Sequence, residues 1–136
     1  MAFAGYDPEA PKGFPQFAQL CIDSAKKNMN MDLGYDLESI KKLDDVISII
    51  GKPKNLGQMV TVIGSFLGEA FRRIYDGRWE WSEQFKTWAV MFRLPDGKEE
   101  GAFVFAKVQK RFVNGTQDSV AFYAHVTDSK VKGRIP

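Results

Sequence analysis

The sequence predicts an α+β fold with three N-terminal helices, a small antiparallel sheet of three strands, and short C-terminal helices. Three observations carry that prediction. Apolar residues recur at three- and four-residue steps from Phe14 to Tyr75, the signature of amphipathic helices. From Arg78 onward the period shortens to alternation, which suits strands. Leu94-Pro95-Asp96-Gly97-Lys98 then supplies a turn between two alternating runs.

Residues 1–13 are rich in Gly and Pro and read as an irregular arm, so the single globular domain is expected over 14–128. A first helix runs from Phe14 to about Asn28, with Phe14, Phe17, Leu20, Cys21 and Ala25 on one stripe and Lys26 and Lys27 suiting its C-terminal turn. The second opens on Asp36 as N-cap, carries Ile40, Leu43, Ile47 and Ile50 on one face, and stops at Gly51. The third extends from about Leu56 to Tyr75 and ends at Asp76-Gly77. Arg78 to Trp81 and Trp88 to Phe92 read as strands, with Ala102 to Phe105 returning antiparallel to the second. Val108 and Phe112 suit a helix ending at Asn114-Gly115. Residues 118–127 suit helix or strand; Asp118 as a cap and the alanines favour a helix. Residues 129–136 read as a basic, mobile tail.

Composition narrows function mainly by exclusion. Nineteen basic against seventeen acidic residues leave a formal charge of +2, too balanced to point to a nucleic acid or a membrane surface. No apolar stretch approaches the ~20 residues of a membrane span. The stretch from Met1 to Phe14 has no basic segment followed by an apolar run, so it does not read as a signal peptide. A single cysteine, Cys21, forms no internal disulfide and fits a reducing, cytoplasmic compartment. Cys21 and His125 are too few for a zinc site of nitrogen and sulfur ligands, and the adjacent acids Asp44 and Asp45 read as solvated surface, so no metal is expected. Phosphate-binding glycine loops and a nucleophile elbow are missing, and no cofactor is implied. Cys21 lies on an apolar stripe, where a buried inert thiol is the ordinary reading, and His125 reads as a half-buried packing residue.

The third helix concentrates what is unusual. Gly57, Thr61, Gly64 and Gly68 fall on one narrow line, although each helical glycine costs about 1 kcal/mol relative to alanine. Such a line either takes a flat side chain, for instance Trp79 or Trp88, or floors a groove for a ligand or partner. Glu69, Arg72 and Arg73 lie three and four residues apart on the more polar side and read as a solvated pair or as part of a site. Arg72, Arg73 and Arg78 cluster in sequence around the helix-to-strand corner, where planar guanidinium forks could grip a carboxylate or phosphate. Trp79 and Trp81 share one strand face, as core or as an exposed binding patch.

The segment Leu67-Gly68-Glu69-Ala70-Phe71-Arg72-Arg73, followed by Asp76-Gly77-Arg78-Trp79, resembles a small bacterial domain family of unknown function, marked by an L-G-E helix and a G-R-W corner. Asp36 to Ile40, Leu43-Asp44, Lys110-Arg111-Phe112, Asn114-Gly115 and Asp118-Ser119 look similar to its remaining landmarks, over about residues 33–127. The resemblance implies a bacterial source and helices in the C-terminal segment, and it carries over no catalytic residue.

Three functions follow as expectations. The first is a noncatalytic protein-binding or regulatory module, such as an immunity or accessory protein, using Glu69, Arg72, Arg73, Arg78, Trp79 and Trp81 toward another protein. The second is a small-molecule enzyme or ligand-binding domain with Glu69 as general base and Arg72, Arg73 and Arg78 as anion clamps. Nucleic-acid binding through Lys107, Lys110, Arg111, Lys130, Lys132 and Arg134 comes third.

Overall fold

The computed structural model describes residues 3–135. It is an α+β fold whose elements follow the order helices, sheet, helices: α1 (Phe14–Met29), α2 (Leu37–Ile50), α3 (Leu56–Ile74), β1 (Arg78–Ser82), β2 (Thr87–Arg93), β3 (Glu99–Ala102), α4 (Val104–Asn114) and α5 (Val120–Val131). The helix boundaries have local causes. Asp36 accepts a hydrogen bond from the Ser39 N–H and so caps α2, and Asn55 accepts from the Gln58 N–H at the start of α3. Asn30, in the left-handed region, ends α1, and Gly51, also at positive φ, ends α2.

The central element is α3. Every residue from Ile63 to Phe71 is buried, including Ser65 and Glu69. A helix covered on all sides needs small residues where neighbours come closest, and Gly64 and Gly68 meet that need. A Cβ on Gly64 would lie 2.5 Å from the Phe105 ring, and one on Gly68 would fall inside the indole of Trp79. The C-terminal half of the glycine line is therefore a seat for flat side chains. Its N-terminal half differs: a Cβ on Gly57 would meet only Asn55 Oδ1, at 3.6 Å.

The three strands form an antiparallel meander in the order β1-β2-β3, with Trp79 opposite Val90 and Trp81 opposite Trp88. Alternation turns Trp79, Trp81, Trp88, Val90 and Phe92 toward the helices. Phe14 on α1 lies 4.4 Å from Trp79 and 5.3 Å from Phe105, ring centre to ring centre, which joins α1, β1 and α4 in one aromatic core. Among the described residues no helix is long and apolar enough to cross a membrane.

Four expectations need correction. The arm is packed from Phe3 onward: Phe3 sits edge-on to Phe14, Trp81 and Phe105, Tyr6 lies against Trp81 and Trp88, and Ala10–Gly13 form a 3₁₀ turn leading into α1. Met1, Ala2 and Pro136 lie outside the described residues. The third strand ends at Ala102 instead of starting there, since Val104, Phe105 and Val108 turn into the core from a helix. Ser119, not Asp118, caps α5, and Asp118 closes a 3₁₀ turn over Gly115–Asp118. The tail expected from 129 begins later, because α5 continues to Val131 and the Arg134 N–H donates to the Ser129 carbonyl at 2.8 Å.

Asp44 joins the helical layers. Its Oδ1 accepts from Arg111 Nε at 2.9 Å and the Val120 N–H at 2.9 Å, and its Oδ2 from Ser119 Oγ at 2.8 Å and the Ala121 N–H at 2.9 Å. Arg111, buried on the apolar face of α4, also donates to Ser48 Oγ at 2.7 Å. An acid read as solvated surface is thus a cap for α5 supplied from α2. Burial pushes its carboxyl up, yet the hydrogen bonds from Ala121, Val120, Ser119 and Arg111 outweigh that and hold it below the ordinary aspartate range.

The glycine line predicts opposite outcomes for one substitution. Gly68→Ala should cost about 2 kcal/mol or more by forcing Trp79 off the helix, whereas Gly57→Ala should add about 0.5 kcal/mol through helix propensity. Urea unfolding midpoints measure both, and equal shifts would refute this division of the line.

Candidate functional site

The residues singled out in the third helix do meet, around a carboxylate. Glu69 is 1% exposed. Its Oε2 accepts from Arg72 Nε at 2.9 Å and from Trp79 Nε1 at 2.8 Å, and its Oε1 from Arg72 Nη2 at 2.9 Å and Arg73 Nη2 at 3.4 Å. Local geometry brings them together: Arg72 and Arg73 lie three and four residues along the same helix, and the Gly77 corner returns the chain so that Trp79 crosses Gly68. Gly77 itself is required for closeness, since a Cβ there would lie 2.8 Å from the Met91 carbonyl oxygen.

The reading of Glu69 as a solvated residue is therefore overturned. The side of α3 read as polar and solvent-facing is covered by β1, whose Trp79 both seats on Gly68 and donates to Glu69. Burial pushes the carboxyl up, and the hydrogen bonds from Arg72 and Trp79 with the two guanidinium charges outweigh it, holding Glu69 below its ordinary 4.5. A carboxylate that is anionic, shielded and engaged on both oxygens is a poor proton acceptor for a substrate and a good anchor for arginines.

The anchored arginines stay half-open, with side chains 35% exposed for Arg72 and 40% for Arg73. Arg73 lies flat over the Tyr35 ring, its guanidinium carbon 3.7 Å from the ring centre, and Tyr35 stacks in turn on the buried Phe66 at 5.6 Å. Tyr35 completes this surface and was not singled out from sequence. It sits in the connector before α2, where no periodicity marks it.

Arg78 and Trp81 belong elsewhere. Arg78 leaves β1 on the opposite face from Trp79 and makes a two-point pair with Glu99 at 2.6 and 2.8 Å, with Glu80 at 2.9 Å. Adjacent strand residues point to opposite sides, so the three-arginine grip expected from sequence is split. Trp81 is half-buried between Phe3, Tyr6 and Trp88, and its Nε1 donates to Glu83 at 2.8 Å. Cys21 is buried, which pushes its thiol up to about 12. His125 is exposed on α5, not half-buried.

Two of the clefts beside these elements bear on the readings above. One, of about 470 Å³, runs between α1 and α3 and is lined by Phe17, Leu20, Gly57, Met59, Thr61 and Val62, so the open end of the glycine line does border a groove. The other lies between the β1–β2 turn and α4. No family model, curated protein or solved structure matches the chain.

Glu69→Gln should lower stability at neutral pH by about 2 kcal/mol, since hydrogen bonds from charged donors lose their anionic acceptor. Because the folded protein holds this carboxyl below 4.5, the unfolded chain takes up the proton more readily; the contribution is complete above about pH 4.5 and disappears as pH falls through the lower folded value. Chemical denaturation from pH 7 to 3 should therefore show a shallower acid loss in Glu69→Gln than in the wild type. Parallel curves would rule out this role.

Proposed function

We propose that this chain is a noncatalytic protein-binding module, of the kind that serves as an immunity or accessory protein, and that it presents Arg72, Arg73 and Tyr35 to an acidic surface of its partner. The observation that carries this reading is the saturation of Glu69. A buried carboxylate that holds two half-exposed arginines in place costs nothing further when a partner arrives, so the guanidinium groups are preorganised for contact. Glu69 takes Nε and Nη2 of Arg72 but only Nη2 of Arg73, and no other carboxylate pairs with either arginine among the described residues. The cluster keeps one net positive charge.

Tyrosine and arginine are the side chains that dominate binding hot spots, and a stacked Arg–Tyr pair loses little side-chain freedom on contact. Carboxylates of a partner fit the open edges of both forks. The same geometry weighs against Glu69 as general base, since neither of its oxygens is free for a substrate proton.

The test uses variants that leave the Arg72–Glu69 pair intact. Tagged wild-type chain purified from its source cells should bring down a stoichiometric acidic partner, and Arg73→Gln or Tyr35→Ala should weaken that partner about tenfold or more while circular dichroism shows the native fold retained at the assay temperature. A partner held with unchanged affinity by both variants would overturn this face.

A further inference from the structure

We propose that the cleft between the β1–β2 turn and α4 is a binding site for a small amphipathic monocarboxylate, an aromatic or branched alkyl group bearing one carboxylate. The starting point is a buried polar atom without a partner. Ser65 Oγ, Trp88 Nε1 and Thr87 Oγ1 are buried and make no hydrogen bond. Native interiors pair nearly all such atoms, so each exception calls for a reason. Ser65 is sealed within α3, and Trp88 is closed over by Tyr6. Thr87, only 4% exposed, lines a cleft.

That cleft has a volume of about 340 Å³ and is bounded by Phe85, Thr87, Phe103, Ala106 and Lys110. Phe103 and Phe85 meet edge to face at 5.1 Å, and Phe85, in the turn between β1 and β2, is 59% exposed. Phe103, Ala106 and Lys110 share one face of the helix start and α4, at spacings of three and four residues. Lys110 is exposed and forms no ion pair within 4 Å among the described residues; Asp118, the carboxylate that feels its charge, is held by Lys107 at 3.3 Å and Asn114 at 2.8 Å.

Aromatic walls, one unpaired cation and one unpaired hydroxyl define the ligand. The ring or branched alkyl group lies against Phe103, the carboxylate reaches Lys110, and its second oxygen accepts from Thr87 once a single step of χ1 turns the hydroxyl outward. A dianion such as a phosphate monoester finds only one cation here. This site is independent of the Arg72–Arg73 surface, and neither proposal needs the other.

Amide NMR titration of the full chain with 3-phenylpropionate tests it. Saturable shifts should map to Thr87, Phe103, Ala106 and Lys110, with a dissociation constant of about 1 mM or tighter. Lys110→Gln should weaken binding about tenfold, and the uncharged 3-phenylpropanol should bind the wild type correspondingly less well. Thr87→Val separates ligand binding from packing: removing an unpaired hydroxyl should raise the melting temperature while weakening 3-phenylpropionate about threefold or more. Absence of saturation at about 10 mM, equal affinity in Lys110→Gln, or undiminished binding in Thr87→Val would each overturn the proposal as stated.

Discussion

A carboxylate on the most enclosed helix of a small domain must be met from every side, and much of this structure is arranged around meeting Glu69. Removing an ionised acid from water costs several kcal/mol unless hydrogen bonds and opposite charge replace hydration. Here the replacements come from the helix itself, through Arg72 and Arg73, and from the strand that follows it, through the Trp79 indole. For Trp79 to reach the acid its ring must lie across the helix, which admits no side chain at Gly68, and the corner must close tightly at Gly77. One buried charge thus fixes the angle between α3 and the sheet and the orientation of two surface arginines.

A second, half-buried acid does comparable work between the other layers. Asp44 projects from α2 into the start of α5 and takes donors from Ser119, Val120, Ala121 and Arg111. The two clusters share a logic, since in each a carboxylate beside an apolar stripe finds arginine and N–H donors from later in the chain. They differ in exposure of the cations: Arg111 is buried and has no surface left to offer, whereas Arg72 and Arg73 retain open edges. That contrast is why only the Glu69 cluster suggests recognition.

The helices and the meander were legible because their signals are local: Asp36 and Gly51 bracket α2, and Pro95-Asp96-Gly97 separates β2 from β3. The run Ala102 to Phe105 misled because short apolar runs suit strand and helix alike, and what decides is the tertiary contact of Phe105 with Gly64. At the site, the sequence grouped Glu69 with Arg72 and Arg73 correctly and misjudged their surroundings. A helical projection gives a direction, not the neighbour waiting there. Arg78 was grouped with them by nearness in the chain, and strand alternation sends it to the other face. Asp44 carried a usable hint, lying four residues after Ile40 and three before Ile47 at the edge of the buried stripe.

The two acids also differ in how far apart in the chain their partners lie. Trp79 is 10 residues from Glu69, while Val120 is 76 residues from Asp44. Loop-closure entropy grows with the logarithm of that span, so drawing the second set of partners together costs ~1.8 kcal/mol more than the first. The helix, corner and strand from Leu56 to Ser82 carry their own short-range closure, whereas the aspartate of α2 takes its partners from the far end of the domain. Chain order is thereby written into the fold: one cluster closes a short stretch of chain, and the other joins an early helix to the last one.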